Sequence, residues 1–402
     1  VNIPVGVTAN GGNATFPANA VATGDITSDL FTNQTNSDLN VVYEVRGVSA
    51  DGCEGESEFI TVVIQPEPVI ATNLDDVICS DQAIGLVLNT DGASINAANY
   101  NVITVTIDGG LTANVANAVF PANSVADNYL SLDEYTNTTS GPLNVVYRVR
   151  GVSSVNCLGD TRDITITINP EPIVNTGLST TVCSDEVSGI NLLTEPVSVG
   201  AVAYNIINVT IPAGLTPAGA NAVFPANNVP FDYLESDVFT NPGSVSENVV
   251  YEVRAVSVDG CVGDSELINL TINPEPVVDP NLDIPVCSDL PIGLIFDTDP
   301  SSVTATNYNV LSITVPPALT PGVANVVTAN GIGSNYVAND VYNNVTNLAL
   351  DVLYEVQGIS SDGCIGDTRV ITVTINPEPV IDNNLDQTVC SDDITGITLN
   401  TN

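Results

Sequence analysis

The stretch Ile164-Thr165-Ile166-Thr167-Ile168-Asn169-Pro170-Glu171-Pro172 carries the fold in miniature. Three isoleucines alternate with three polar residues, the period of a strand with one buried and one wet face. The run then meets two prolines, which cannot donate to a ladder and hold the preceding residue extended, so the strand stops there. The same phrase occurs with Ile60, Val62 and Ile64 before Pro66, with Ile268, Leu270 and Ile272 before Pro274, and with Ile371, Val373 and Ile375 before Pro377. The apolar face never slips register between copies.

Other signals keep the same beat. Cys-x-Gly-(Asp/Glu) recurs at Cys53, Cys157, Cys261 and Cys364, and Cys-Ser-Asp at Cys79, Cys183, Cys287 and Cys390, both with steps of 104, 104 and 103 residues. Spacing this regular means tandem copies of one domain, each large enough for its own core. The repeats are read as 67–170, 171–274 and 275–377, flanked by a partial repeat at 1–66 and the opening strands of another at 378–402.

Within one copy, Val77 to Cys79, Ile84 to Leu88, Val102 to Ile107 and Val145 to Arg150 read as further strands. About seven short strands per copy, separated by Gly, Asn and Asp, predict tandem Ig-like β-sandwiches, an all-β fold. The Pro-Glu-Pro triplets read as short semi-rigid links. At roughly 3.3 Å per strand residue, four copies strung end to end would span on the order of 150 Å.

The charge is extreme. Asp and Glu number 47 against six Arg, for a net charge of −41, with no His, Met or Trp. Such a surface repels phosphate backbones and anionic lipid, which excludes nucleic acid as a partner. No apolar run approaches the length of a membrane span, so no membrane insertion is expected. Without His or Lys, Ser-His-Asp, Cys-His and Ser-Lys arrangements cannot form, so no catalytic residue and no enzyme is expected.

Eight cysteines in a fixed pattern without His read as disulfides, hence an oxidising compartment. The expected pairs lie within repeats: Cys79–Cys157, Cys183–Cys261 and Cys287–Cys364. In a sandwich whose first and last strands run parallel, a cysteine before each would lie close together, within the ~4.4–6.8 Å Cα separation a disulfide allows. A closed loop near 78 residues would stabilise by roughly 4 kcal/mol. Cys53 and Cys390 are left to pair outside this segment. The head lacks opening strands and the tail supplies them. The chain therefore reads either as a window of a longer polypeptide or as a subunit whose tail, Val380 to Asn402, completes the head of the next by strand donation.

The order Val-x-Tyr-x-Val, Cys-x-Gly-Asp, strand, Pro-Glu-Pro and Cys-Ser-Asp resembles the PKD-like, Ig-like tandem repeats of very large Bacteroidetes surface proteins, including gliding adhesins and filaments of the type IX secretion route. The resemblance covers all 402 residues. It implies display on a bacterial cell surface, adhesion and β-sandwich repeats, and assigns no ligand.

Two kinds of site are candidates. Acids recur where one repeat meets the next: Asp81, Asp185 and Asp289 after Cys-Ser, Glu171, Glu275 and Glu378 in the links, and Asp160, Asp264 and Asp367 after Cys-x-Gly. Hard oxygen ligands gathered at a junction could take Ca²⁺, the one cofactor considered, although none is required. Loops around Phe120 to Tyr135 could bind surface glycans. Asp29, Asp133, Asp237 and Asp340, each two residues before an aromatic, read as acids bonding turn amides, with Tyr43, Tyr147, Tyr251 and Tyr354 as core residues with tethered hydroxyls. The reading is a non-enzymatic structural segment of an extracellular filament or adhesin stalk whose partners are further copies of the repeat. The alternative is a glycan- or surface-binding adhesive module.

Overall fold

A computed structural model describes residues 1–400. Every helix or strand among them is a β-strand. The chain divides into two compact units. One comprises Val1–Val174, Thr194–Ala203 and Arg254–Asp264, and the other Asn175–Leu193, Tyr204–Val253 and the residues from Ser265 onward. Each five-stranded sheet nevertheless stays inside one repeat.

In the first unit the sheet of repeat 67–170 has the strand order Asp76–Cys79, Arg162–Asn169, Leu143–Val152, Asn99–Ile107, Ala122–Val125. The short Leu111–Ala113 strand pairs separately with Tyr135–Asn137. In the second unit, repeat 275–377 has the corresponding order Ile284–Cys287, Arg369–Asn376, Leu350–Ile359, Asn307–Thr314, Ala329–Ile332.

The alternation read from sequence is the alternation buried. Val145, Tyr147, Val149, Ile164, Ile166 and Ile168 are fully enclosed. Each aliphatic side chain so placed stabilises by roughly 1.5–3 kcal/mol. Ile84 to Leu88 departs from the expected strand. Ile84, Leu86 and Leu88 point into the core as alternation requires, but Gly85 takes φ +63°. The segment therefore bonds to the 127–133 turn, through Leu88 N to Asp127 O at 2.8 Å and Ile84 N to Asp133 O at 2.8 Å, and joins no ladder.

The opening strand runs parallel to the last one. Asp76 stands opposite Ile166 and Cys79 opposite Asn169. Repeat 275–377 copies this register, with Cys287 opposite Asn376. In the head repeat the last strand, Glu54–Ile64, pairs only with Leu39–Val48. Its Ile60 and Val62, counterparts of the enclosed Ile164 and Ile166, are 45% and 38% exposed.

Candidate functional site

The repeat junctions gather the motifs. Cys79 ends its strand beside Asn169, the last residue before Pro170. Ser80 and Asp81 then turn the chain back. Ser80 N bonds to Asn169 O at 2.8 Å and Asp81 N to Tyr135 O at 3.0 Å. The Ser80 hydroxyl accepts from Asn137 N at 2.8 Å, and Asp81 takes φ +58°, a conformation Asp tolerates better than most residues. Cys-Ser-Asp is thus a strand terminator.

The next repeat meets this end with a hairpin. Cys261 sits in a tight turn closed by Ser257 N to Cys261 O at 2.9 Å and by Cys261 N to Ser257 Oγ at 3.1 Å. Gly263 lies against the link. A Cβ there would stand 2.0 Å from Pro172 O, and the same holds for Gly159 over Pro68 O and Gly366 over Pro276 O, both at 1.9 Å. Only glycine fits so close an approach. Pro66, Pro68, Pro170 and Pro172 are buried, so the link is packed structure and not a free spacer.

Here the cysteines pair across the junction. Cys79 is bonded to Cys261 and Cys183 to Cys364, each with Cα atoms 5.5 Å apart. This replaces all three expected pairs, Cys79–Cys157, Cys183–Cys261 and Cys287–Cys364. The reason is polarity along the strand. Cys79 ends the opening strand, whereas Cys157 precedes the start of its parallel neighbour Arg162–Asn169. Eight strand residues, roughly 26 Å, separate the two ends of that neighbour. The usable signal was the position of Cys79 after Val77, at the strand's downstream end. Cys53, Cys157, Cys287 and Cys390 carry free thiols in this chain.

The expected core locks are present. Tyr147 donates to Asp133 Oδ2 at 2.9 Å, and Asp133 Oδ1 accepts Ala118 N at 2.7 Å. Asp237 with Tyr251 and Asp340 with Tyr354 repeat the arrangement at 2.9 Å, and Asp29 with Tyr43 at 2.7 Å. Burial raises the carboxyl pKa of Asp133, Asp237 and Asp340.

A family model described as PKD-like domain matches residues 7–68, 76–172, 233–276 and 322–379, together more than half of the chain. The chain belongs to the PKD-like domain family. Curated protein sequences give no match. Among solved structures, the Bacteroides ovatus mixed-linkage glucan utilization locus protein SGBP-B is 15% identical over 83% of this chain and 76% of its own, with a TM-score of 0.17. Drosophila N-cadherin EC1-4 is 11% identical over 85% and 84%, with a TM-score of 0.21. The sialic acid binding region of the Streptococcus sanguinis SK1 adhesin is 11% identical over 79% and 81%, with a TM-score of 0.18. The assignment rests on the family match alone.

The junction acids of these PKD-like repeats do come together. Burial, reinforced by the charges of Asp81 and Asp264 and opposed by Arg254, pushes the Glu171 carboxyl up to about 7. Burial, then Asp185, Asp367 and Glu186, push Glu275 up to about 7. At the first junction the Gln34 amide donates to both Glu67 and Asp160 at 3.2 Å. Asp289 instead accepts from the Asn343 amide at 2.8 Å, and Glu378 is exposed. Among the described residues no three acidic or thiol side chains are set to hold a metal ion. The acids therefore meet as an electrostatic cluster, in which each raises the others' affinity for protons.

The loop aromatics of the PKD-like repeat are engaged internally. Phe120 packs edge-on against Tyr147 at 6.0 Å, Tyr129 donates to Val119 O at 3.0 Å, and Tyr135 is buried. Phe120 and Tyr129 remain half-buried.

Proposed function

We propose that this chain is a non-enzymatic structural segment of an extracellular filament or cell-surface adhesin stalk, of the gliding-adhesin type its sequence resembles. The observation that carries the reading is the pairing of Cys79 with Cys261 and of Cys183 with Cys364. Each bridge crosses a Pro-Glu-Pro link and supplies a second covalent path beside the backbone. The two bridges also interleave in sequence, since Cys183 falls between Cys79 and Cys261. Pulling on the chain ends loads both routes at once, which suits a tether.

Supporting features agree. Disulfides persist in oxidising surroundings, outside the cytosol. A net charge of −41 keeps such segments solvated and apart from phosphate and anionic lipid. No helix among the described residues is long and apolar enough to cross a membrane.

Single-molecule stretching tests the reading. The reduced chain should unravel to roughly 1,400 Å, and the bridged chain to roughly half that, because the interleaved bonds shield the intervening residues. Equal lengths with and without reductant would remove the mechanical role.

A further inference from the structure

Repeat 275–377 is one residue shorter than the others, and the loss falls at a single place. The preceding copies read Phe16-Pro17-Ala18, Phe120-Pro121-Ala122 and Phe224-Pro225-Ala226, where this one reads Thr328-Ala329. Both flanks keep their positions. Val326 N donates to Asp340 Oδ1 at 2.8 Å, as Ala118 N does to Asp133 Oδ1 at 2.7 Å. Ala329 stands opposite Val310, as Ala122 stands opposite Val102. What disappears is a ring. In the other copies it packs edge-on against the core tyrosine, Phe16 on Tyr43 at 5.7 Å, Phe120 on Tyr147 at 6.0 Å and Phe224 on Tyr251 at 5.8 Å. Threonine carries no ring, and Val326 in place of Ala118 adds only two methyl groups. A cavity of about 460 Å³ is left, open to solvent and bordered by Ile313, Val315, Pro321, Val326, Thr328 and Tyr342.

We infer that this cavity is a binding site for one phenyl ring, carried as the phenylalanine side chain of a partner peptide. The sister repeats define the occupant, since each fills the same place with a phenylalanine of its own. The size agrees. An apolar cavity of about 150 Å³ already admits benzene, so the larger space here takes a ring and the peptide atoms attached to it. The chemistry agrees as well. The Asn325 amide is held at both ends by Val341, at 2.8 Å each, and the Tyr342 hydroxyl is bonded to the Tyr354 hydroxyl at 2.8 Å. These groups are engaged within the protein, and the Thr328 hydroxyl lies exposed at the mouth. The walls therefore select apolar shape, and a hydroxyl-rich sugar would surrender its water bonds without replacement. The net charge of −41 favours a neutral or cationic peptide over an acidic one. The site belongs to this repeat alone among the four, because Phe16, Phe120 and Phe224 occupy it elsewhere.

The site goes beyond the structural role and is tested apart from it. The 402-residue chain, labelled at Ile, Leu and Val methyl groups, is titrated with acetyl-phenylalanyl-proline amide and followed by NMR. Ring currents should shift the Ile313, Val315 and Val326 methyl signals, with half-saturation on the order of 1 mM, the reach of a single side chain. The Val105 signal, from the same place in repeat 67–170, should stay still. Acetyl-glycyl-proline amide, which lacks the ring, should move none of them. Thr328→Phe should fill the cavity from within and weaken binding at least tenfold, while Thr328→Ser, which leaves it open, should bind as the parent does. No shift at ten times the expected half-saturation, equal shifts with the glycyl peptide, or equal shifts at Val105 overturns the inference. Any of these results leaves the stretching test open.

Discussion

Cys79 and Cys261 are bonded across 182 residues, at the point where the opening strand of one repeat ends and the hairpin of the next repeat begins. That placement makes the 170–172 and 274–276 junctions three-part joints of buried prolines, a glycine seat and a sulfur bridge. The backbone link is tied down from both sides.

Breaking the joint at sulfur should cost stability. In the chain-entropy account, a loop of this length contributes about 5 kcal/mol, and measured losses run about 2–5 kcal/mol. Cys261→Ser or Cys364→Ser should lower the urea midpoint accordingly, because both side chains are also buried. Cys287→Ser, on an exposed free thiol, should leave the midpoint of the monomer unchanged.

The glycine seat offers a matched control. Gly263→Ala places a methyl group 2.0 Å from Pro172 O, and overpacking of this kind costs about 1–3 kcal/mol or more. Gly55→Ala, at the equivalent head position, meets nothing within 3.8 Å and should be nearly neutral in the monomer. Thermal melts of the two variants against the parent read the difference directly.

The junction acids make stability fall as pH rises. Glu171 titrates near 4.5 when unfolded and at about 7 when folded. The folded state therefore holds its proton longer, so its advantage is complete below about 4.5 and lost as pH climbs through 7. Glu275 behaves alike. Melting midpoints should decline between these values, and Glu171→Gln should flatten the decline and raise the midpoint at pH 8. Glu235→Gln, an exposed acid removed for comparison, controls for net charge.

The buried carboxylate is the firmest part of each core. Asp133→Ala strips partners from the Tyr147 hydroxyl and the Ala118 amide. The Tyr147 hydroxyl keeps the Tyr135 hydroxyl at 2.8 Å, so the half-buried Ala118 amide is the group left unpaired, at a cost of about 1–3 kcal/mol. Equilibrium unfolding should show that loss, and loss of Asp237 should exceed it, because Phe239 stands where Tyr135 would and offers the Tyr251 hydroxyl no second partner.

How much of this was legible follows from what each signal encodes. Strand faces such as Ile164, Ile166 and Ile168 were readable because alternation reports burial directly. The Asp133–Tyr147 lock was readable because a recurrent acid near a recurrent aromatic, inside an apolar frame, has few uses other than a tether. The Ile84–Leu88 alternation was read as a strand, and its apolar residues do enter the core, but Gly85 at φ +63° takes the segment out of the ladder. The cysteine pairing was misread because spacing gives period and not polarity. A cysteine at the end of a strand and one before it look alike until the parallel register of Asp76–Cys79 against Ile166–Asn169 is known. The fit of Gly263 to the link carbonyl likewise lay beyond reach, since recurrence marks a glycine without naming what approaches it.

Peptide mapping of the oxidised chain, cut at Asp and Glu without reductant, tests the central claim most directly. The expected bridged peptides join Cys79 to Cys261 and Cys183 to Cys364, with no bridge between Cys79 and Cys157. Recovery of Cys79 bonded to Cys157, or of Cys183 bonded to Cys261, would return the sulfur to single repeats and contradict the stapled-junction account.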